Sequence, residues 1–279
     1  MKVLIVGLGL MGGAYAYKLS KKGYIVYGSD LNIDSINYAK EKKYIIDGSI
    51  DPIDYIKIAD VIILCIYPKD IIAFLNKYNK YFNENQLITD ICGVKHSFVI
   101  DAKLKALPAI YISHHPMAGR EKSGVMYSEL VNFSGANFII TTIDNEDENY
   151  INILKNIASD LEFKRISVID IYKHDDMIGF TSQLAHAIAV SLVNADRNID
   201  TKNYIGDSYR DLTRIAMINE NLWCELFLEN KDFLIKHIEE FEYELNELKD
   251  SIKNDDKEKM KELFKKSTKT RKEMEKWES

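Results

Sequence analysis

The apolar segment at residues 2–6 runs directly into the glycine-rich turn Gly-Leu-Gly-Leu-Met-Gly, and this junction constrains the fold more than any other part of the sequence. A strand, this glycine spacing and then a helix form the context in which such a turn indicates a dinucleotide-binding unit. Gly7 permits the tight turn, Gly9 allows a pyrophosphate to approach the backbone, and Gly12 allows the helix to pack on the strand. The residues of the turn predicted to contact a cofactor are Gly7, Leu8, Gly9, Leu10, Met11 and Gly12.

Asp30 is a second indication of the ligand. It follows the predicted strand 25–29, eighteen positions after Gly12, where a carboxylate can accept hydrogen bonds from both ribose hydroxyls. The same carboxylate would repel a 2'-phosphate, and the next three residues include no arginine to bind one. The sequence therefore predicts NAD rather than NADP, and Pro68 is expected beside the nicotinamide ribose. The alternative is an ordinary glycine turn with Asp30 as a helix cap.

The first half of the chain alternates short apolar segments with helical ones, a pattern typical of a parallel sheet with crossover helices. The predicted strands are 2–6, 25–29, 61–65, 87–90, 110–113, 137–141 and 164–169, and the predicted helices between them are 13–21, 33–41, 68–79 and 149–161. All later segments have helical patterns. We therefore expect an α/β chain with a Rossmann-type doubly wound domain at residues 1–168 and an all-α substrate and dimerisation domain at residues 169–279.

Two helical segments of the second domain have unusual patterns. Residues 177–194 are apolar nearly all round, so this helix is expected to be buried on every side. Farther on, apolar residues recur at alternating spacings of four and three, a seam that needs a helical partner. That partner lies either within the same domain or in a second subunit, and the pattern does not decide between them. The seam residues are Leu234, Ile238, Phe241, Leu245, Leu248 and Ile252.

Composition excludes several classes of protein. A net charge of −6 provides no general attraction to nucleic acid or to anionic lipid. No segment reaches the about 20 consecutive apolar residues that a membrane span requires, and the apolar N-terminus lacks the cleavage pattern of a signal peptide. The three cysteines, Cys65, Cys92 and Cys224, form no CxxC pair, which argues against disulfides and a thiolate metal site. We expect a cytoplasmic protein without a metal.

His114 and His115 are adjacent where a predicted strand gives way to a polar loop. Ligands of doubly wound sheets bind where strands end, and a neutral imidazole is a suitable base near pH 7. Because adjacent side chains of a strand point in opposite directions, one histidine can serve a site while the other is structural. His115, followed by Pro116, is the predicted catalytic residue.

The segment SHHPMAGREKSG, taken with TSQLAHAIA and YRDLTRIA, resembles the prephenate dehydrogenase family, and the resemblance runs almost from end to end. It implies oxidative decarboxylation of prephenate to 4-hydroxyphenylpyruvate with NAD+, in L-tyrosine biosynthesis, without a metal. In that family the histidine matched by His115 takes the proton of the ring 4-hydroxyl as hydride leaves. The arginine matched by Arg214 holds a substrate carboxylate. Without the resemblance, a surface or interface ion pair would be the favoured interpretation of Arg214.

The resemblance extends to further substrate-binding residues. Gln183 and His186 lie one turn apart on one helix face and are expected near the pyruvyl end of the substrate, although an apolar helix more often holds a histidine as a core residue. Arg210 would add a second cation one turn before Arg214. Glu121 and Ser123 are expected at the entrance of the site, or else in a solvated loop. The pair His174 and Asp175 is expected to be structural or to lie behind the site.

The sequence departs from the family at Cys92-Gly93-Val94-Lys95, where many relatives have a serine whose hydroxyl bonds the catalytic histidine or the substrate. Gly93 has no hydroxyl, so the partner of His115 is an open question. Cys92 is expected to be a packed thiol rather than a nucleophile. Lys95 is expected to form a local cap or ion pair.

Three other functions remain as alternatives. Arogenate dehydrogenase shares the fold and acts on an amino analogue of prephenate, and a catalytically silent NAD-binding protein is compatible with the glycine at position 93. A β-hydroxyacid dehydrogenase would need a catalytic lysine that residues 177–194 lack. We expect a monofunctional homodimer that associates through the helical domain. Any inhibition by tyrosine is expected to act at the active site.

Overall fold

The computed structural model describes residues 1–118, 122–144 and 146–275. Six parallel strands form the first sheet in the spatial order β3-β2-β1-β4-β5-β6. This is the order of the Rossmann fold, in which the direction of winding reverses between β1 and β4 and leaves a crevice for a ligand. The strands are β1 (Lys2–Val6), β2 (Ile25–Ser29), β3 (Asp47–Ser49), β4 (Val61–Leu64), β5 (Leu87–Asp90) and β6 (Ile110–Tyr111).

The central strands β1 and β4 are almost entirely apolar because helices cover both faces of this sheet. Along β1, Val3 and Ile5 point into one hydrophobic core while Leu4 and Val6 point into the other, as the two-residue period of a strand requires. One core is completed by α1 (Leu10–Lys21), α2 (Ile33–Glu41) and α6 (Glu148–Asp160), and the other by α3 (Ile53–Ile56), α4 (Pro68–Tyr78) and α5 (Val99–Lys105).

A second sheet of three strands was not expected from the sequence. It consists of β7 (Ser113–Pro116), β8 (Asn137–Thr142) and β9 (Arg165–Asp170), with β7 antiparallel to β8 and β8 parallel to β9. The predicted strand 110–113 is therefore divided between two sheets. The chain leaves the first sheet at Ile112, whose N–H still donates to the carbonyl of Ile88, and its next residues pair with β8.

Beyond β9 the described chain is helical. A long helix runs through α7 (Ile171–Ile178), a π-helical turn (Gly179–Gln183) and α8 (Leu184–Asn194). Met177, Phe180 and Val193 are 42%, 49% and 39% exposed in this chain, so the expectation that residues 177–194 are buried on every side is wrong for a single subunit. The helix is also long and apolar enough to cross a membrane by those two criteria alone. Two shorter helices follow, α9 (Asp207–Thr213) and α10 (Glu220–Glu229).

The described chain forms two compact units, Met1–Asn230 and Lys231–Ser279. The second contains α11 (Lys231–Lys253) and α12 (Lys257–Glu275), which ion pairs join at Lys266–Glu244 and Lys259–Glu247. Leu248 of the apolar seam lines a groove with residues of α12, whereas Leu245 and Ile252 of the same seam are more than half exposed. The division between the two compact units therefore lies at residue 230. The domain boundary that the sequence predicts at residue 168 stays a prediction.

Candidate active site

The glycine turn is shaped by contacts that leave no room for side chains. Gly7 has a φ of 91°, and a Cβ there would lie 2.5 Å from the carbonyl oxygen of Cys65. A Cβ on Gly12 would lie 1.8 Å from the carbonyl oxygen of Gly7, so helix α1 packs directly on the turn. A Cβ on Gly9 would meet no protein atom within 4 Å. The turn is therefore closed toward the protein at two glycines and open at the third, where a ligand can reach the backbone.

Asp30 is hydrogen-bonded to the turn that it was predicted to assist. Its carboxylate accepts from the N–H of Leu8 at 2.6 Å and from the N–H of Asn32 at 2.8 Å. Leu8 is fully buried, so its predicted contact with a cofactor stays a prediction. Pro68 is the first residue of α4 and is buried. The predicted cofactor contacts of Leu10 and Met11, at the start of α1, stay predictions.

The two adjacent histidines of β7 have different environments. His114 is fully buried, with Nε2 2.9 Å from the hydroxyl of Tyr15, Nδ1 2.7 Å from the hydroxyl of Thr89, and its ring stacked on Phe138. Burial, with a smaller effect of the Lys95 charge, lowers the pKa of His114 to about 3. His114 is thus a neutral residue of the core with both ring nitrogens engaged.

His115 points to the opposite side of the strand. Its Nδ1 lies 3.0 Å from Nε2 of His174, and a Cβ built on Gly93 would lie 3.7 Å from its Nε2. Although the side chain keeps some solvent contact, burial, followed by His174 and Lys95, lowers its pKa well below the ordinary value. His115 is therefore a neutral imidazole whose Nε2 faces Gly93.

A buried ion pair between Lys95 and Asp90 packs against strand β7. Lys95 donates from Nζ to Asp90 at 2.9 Å and to the carbonyl oxygen of His114 at 2.8 Å, and Tyr111 donates to the other oxygen of Asp90. Burial would raise the pKa of Asp90, but Lys95 and the hydrogen bonds outweigh it and the pKa is lowered. Asp90 was not among the residues predicted from the sequence, although its place at the end of a buried strand was a usable signal.

A second carboxylate, Asp175, collects hydrogen bonds from two parts of the chain. It accepts from the backbone N–H groups of Lys95 and His96, from Nδ1 of His96 at 2.7 Å and from Nδ1 of His174 at 2.6 Å. Burial raises the pKa of Asp175, and the bonds from His174 and His96 more than offset it, so the pKa is lowered. The pair His174 and Asp175 therefore lies directly behind His115.

Gln183 is engaged by the protein itself. Its Oε1 accepts from Nδ2 of Asn230 at 2.7 Å, and its Nε2 donates to the carbonyl oxygen of Leu226 at 2.9 Å. Asn230 also donates to the carbonyl oxygen of Asp175. Because Gln183 is buried and both of its polar groups have protein partners, its place differs from the contact with a substrate that the sequence predicted. It joins the long helix to the end of α10.

The remaining predicted substrate residues lie on several segments. His186 donates from Nδ1 to the carbonyl oxygen of Ser182, and its ring lies 3.7 Å from that of Trp223, a residue that the sequence analysis did not single out. Arg214 begins a 3₁₀ turn that packs on α8. Arg210 is exposed and pairs with Asp207 at 3.2 Å.

Ser123 is exposed, and Glu121 lies outside the described residues. Cys92, as expected, is a packed thiol: it donates to the carbonyl oxygen of Ile66, and burial raises its pKa well above the ordinary value. Within residues 1–118, 122–144 and 146–275, no group of three or more histidine, cysteine or acidic side chains is arranged to hold a metal ion.

Comparison with known proteins identifies the family. The model of the prephenate dehydrogenase nucleotide-binding domain matches residues 15–167, and that of the prephenate dehydrogenase dimerization domain matches residues 170–266. Prephenate dehydrogenase of Lactococcus lactis subsp. cremoris is 30% identical over 98% of this chain and 77% of its own length. Cyclohexadienyl dehydrogenase of Zymomonas mobilis is 25% identical over 96% of this chain and 94% of its own length.

A solved structure agrees with these relatives. The crystal structure of prephenate dehydrogenase from A. aeolicus, in complex with hydroxyphenyl propionate and NAD+, has a TM-score of 0.87 and 31% identity to this chain, covering 98% of each. The chain therefore belongs to the prephenate dehydrogenase family, with the nucleotide-binding domain of that family in its first part and the dimerization domain in its second.

Proposed function

We propose that the protein catalyses the oxidative decarboxylation of prephenate to 4-hydroxyphenylpyruvate and CO2, with NAD+ as the hydride acceptor, in L-tyrosine biosynthesis. The observation that carries this proposal is the orientation of His115, a neutral imidazole whose Nδ1 is held by His174 while its Nε2 faces the space beside Gly93. A reaction that removes a hydroxyl proton needs a base in this state.

The glycine turn and Asp30 suit the binding of NAD+. The open backbone at Gly9 and the N-terminus of α1 favour a pyrophosphate, and Asp30 at the end of β2 favours an unphosphorylated ribose. NAD+, when bound, accepts the hydride from C4 of the substrate. The cofactor predicted from the glycine turn and Asp30 is also the one bound in the A. aeolicus relative.

His115 performs the proton transfer in this proposal. As hydride leaves C4, Nε2 takes the proton of the 4-hydroxyl and the C–O bond gains double-bond character. The bond between the ring and its carboxylate then breaks, and its electron pair enters the ring, which becomes aromatic. The phenolate oxygen takes the proton back, so the base is regenerated and the overall reaction releases CO2 and NADH.

The substrate carboxylates require cations, and we assign Arg214 to one of them because a guanidinium fork fits a carboxylate. His186 is assigned to the pyruvyl end of the substrate, with its ring positioned by Trp223. Arg210, one turn before Arg214, is the candidate for a second cation, and Glu121 and Ser123 are the candidates for the entrance of the site. We leave Gln183 out of the substrate site because its amide is already engaged within the protein.

The experiment is to measure NADH formation from prephenate and from arogenate in parallel, with NAD+ binding measured on the same preparation. Prephenate is expected to be the better substrate by kcat/KM. Arogenate is the second candidate because a relative is a cyclohexadienyl dehydrogenase, and both molecules are cyclohexadienes. Preference for arogenate would replace the proposed substrate, whereas NAD+ binding without turnover of either would leave only a binding protein.

We also propose that the protein is a homodimer. The match of residues 170–266 to a dimerization domain supports this state, as do the exposed apolar residues Met177, Phe180 and Val193 of the long helix. Light scattering coupled to size-exclusion chromatography is expected to give twice the mass of the 32.2 kDa chain. A mass of one chain at micromolar concentration would contradict the proposal.

A further inference from the structure

We propose that His174 and Asp175 are positioning residues that fix the tautomer of His115, with the proton on Nδ1 and the lone pair on Nε2. The inference rests on the proposed function of His115 as the base. It follows from one chain of hydrogen bonds, in which His115 contacts His174 and His174 contacts Asp175. The donors around the carboxylate of Asp175 set the direction of both bonds.

The direction is set at Asp175. The backbone N–H groups of Lys95 and His96 can only donate: that of His96 bonds to Oδ2 of Asp175 at 2.8 Å, and that of Lys95 lies 3.0 Å from both Oδ1 and Oδ2. Oδ1 lies 2.6 Å from Nδ1 of His174. Because the hydrogen bonds that surround this buried carboxylate all favour its ionised form, it accepts at both oxygens. Nδ1 of His174 therefore carries a proton.

The hydrogen bond between His174 and His115 then determines which nitrogen of His115 carries the proton. His174 is fully buried, and burial, although opposed by the bond to Asp175, lowers its pKa. A neutral imidazole with a proton on Nδ1 has only a lone pair on Nε2. His115 must then donate its own Nδ1 proton to His174 across the 3.0 Å separation. Its Nε2 is left with the lone pair, on the side facing Gly93.

The same chain stabilises His115 after it accepts a proton. The imidazolium already donates from Nδ1 to His174, which is polarised by the carboxylate of Asp175. This assistance is needed because burial, followed by the charges of His174, Lys95 and His114, lowers the pKa of His115, so a protonated His115 depends on a neutral His174 whose Nδ1 proton is held by Asp175. Asp90 is already paired with Lys95. Asp175 is thus the anion that reaches His115 through hydrogen bonds.

The test is the substitution Asp175→Asn. Oδ2 accepts from the N–H of His96 and shares the N–H of Lys95 with Oδ1, so the new amide is expected to place its oxygen at the Oδ2 position and its NH2 group toward His174. Nδ1 of His174 must then accept, its Nε2 must donate, and Nε2 of His115 becomes the protonated nitrogen. We expect kcat to fall by about 10²-fold, in the same direction as for the wrong tautomer of a catalytic triad, with the KM for NAD+ changed less than about twofold.

A double-substitution cycle separates this effect from a loss of packing. In His174→Gln the side-chain oxygen can accept from Nδ1 of His115 without reference to Asp175. Adding Asp175→Asn to that variant is expected to cost less than about tenfold in kcat, because the path between the two residues is broken. The matched control is Asp170→Asn. Asp170 caps the same helix, α7, by accepting from two backbone N–H groups, and this variant should retain wild-type kcat.

The tautomer itself is measured on the full chain by 15N NMR of labelled histidines at pH 7.5, assigned with the His115→Asn variant. The proposal predicts a protonated Nδ1 for His115 in the wild type and a protonated Nε2 in Asp175→Asn. This readout needs no substrate, so it stays valid even if prephenate is not turned over and the proposed function fails. A wild-type His115 protonated on Nε2, or a folded Asp175→Asn protein with an unchanged tautomer, would overturn the proposal.

Discussion

The glycine turn and the histidine site are built in opposite ways. The turn is one contiguous segment of six residues whose shape depends on missing side chains, because a Cβ on Gly7 or Gly12 would collide with the backbone. The histidine site combines three segments far apart in sequence: residues 90–96, residues 111–116 and the pair His174 and Asp175. Its properties depend on buried side chains and on their protons.

The two regions are therefore sensitive to different kinds of substitution. At the turn, the proposed contacts with NAD+ are backbone N–H groups and the carboxylate of Asp30, so a substitution that adds volume is the relevant test. At the histidine site, His114 and His115 occupy adjacent positions but differ in partners and exposure, so a substitution that changes the location of a proton is the relevant one.

The largest effect is expected for His115→Asn. The variant removes the proposed base, and general-base catalysis contributes on the order of 10²–10⁴-fold to a rate. We expect kcat with prephenate to fall by about 10³-fold. Because the histidine belongs to a separate region, NAD+ affinity measured by calorimetry should change less than about threefold. A comparable loss of NAD+ affinity would show that the two regions are not independent.

The next largest effect compares two glycines of the turn. Gly12→Ala places a methyl group 1.8 Å from the carbonyl oxygen of Gly7, so the backbone must shift, at a cost of about 1–3 kcal/mol of unfolding free energy. Gly9→Ala meets no protein atom and should leave stability within about 0.5 kcal/mol. Both should weaken NAD+ binding by at least about tenfold.

Urea unfolding and NAD+ titration of the two variants check this prediction. Equal stability of Gly12→Ala and the wild type would contradict the packing argument. Unchanged NAD+ affinity in Gly9→Ala would contradict the proposed approach of the pyrophosphate to the backbone.

An intermediate effect concerns the stability of the protein in acid. His114 has a pKa of about 3 when folded, against about 6.5 when unfolded. Below pH 6.5 the unfolded chain therefore binds the additional proton, and the free energy of unfolding falls as pH falls, by about 1.4 kcal/mol per pH unit for this group. Between pH 6.5 and 5 the loss is about 2 kcal/mol, before ordinary carboxylates begin to titrate.

The measurement is urea unfolding at pH 6.5, 5.75 and 5.0 for the wild type and for His114→Gln. The variant should start from lower stability and show a smaller dependence on pH. His115 and His174 also have lowered pKa values, so part of the slope will remain. Identical slopes for the two proteins would contradict the assignment to His114.

The smallest effect is expected for Gly93→Ser. A Cβ there makes ordinary contacts, 3.5 Å from Leu226 and 3.7 Å from the ring of His115, so stability should change by less than about 0.5 kcal/mol. The new hydroxyl can bond His115 or the substrate, and one such bond is worth about 1 kcal/mol. We expect kcat/KM for prephenate to rise about two- to fivefold. A tenfold fall would show that the space beside Gly93 must stay empty.

Local sequence predicted the parts of the fold that depend on local patterns. The glycine turn and the strands at residues 2–6, 25–29 and 87–90 are found as predicted, because apolar periodicity and glycine spacing act over a few residues. The second sheet was missed, since β7 pairs with a strand more than twenty residues later. The burial predicted for residues 177–194 was wrong in the single chain, because periodicity reports an apolar surface but does not identify what covers it.

The glycine turn, the carboxylate of Asp30 and the resemblance to one enzyme family could all be predicted from the amino-acid sequence alone. These depend on residue type and on spacing along the chain. Only the tertiary structure decided that His114 is a core residue, that Gln183 is engaged by Asn230, and that His174 and Asp175 lie behind His115. The physical reason is that proton positions and pKa values depend on burial and on partners brought together by folding from distant segments.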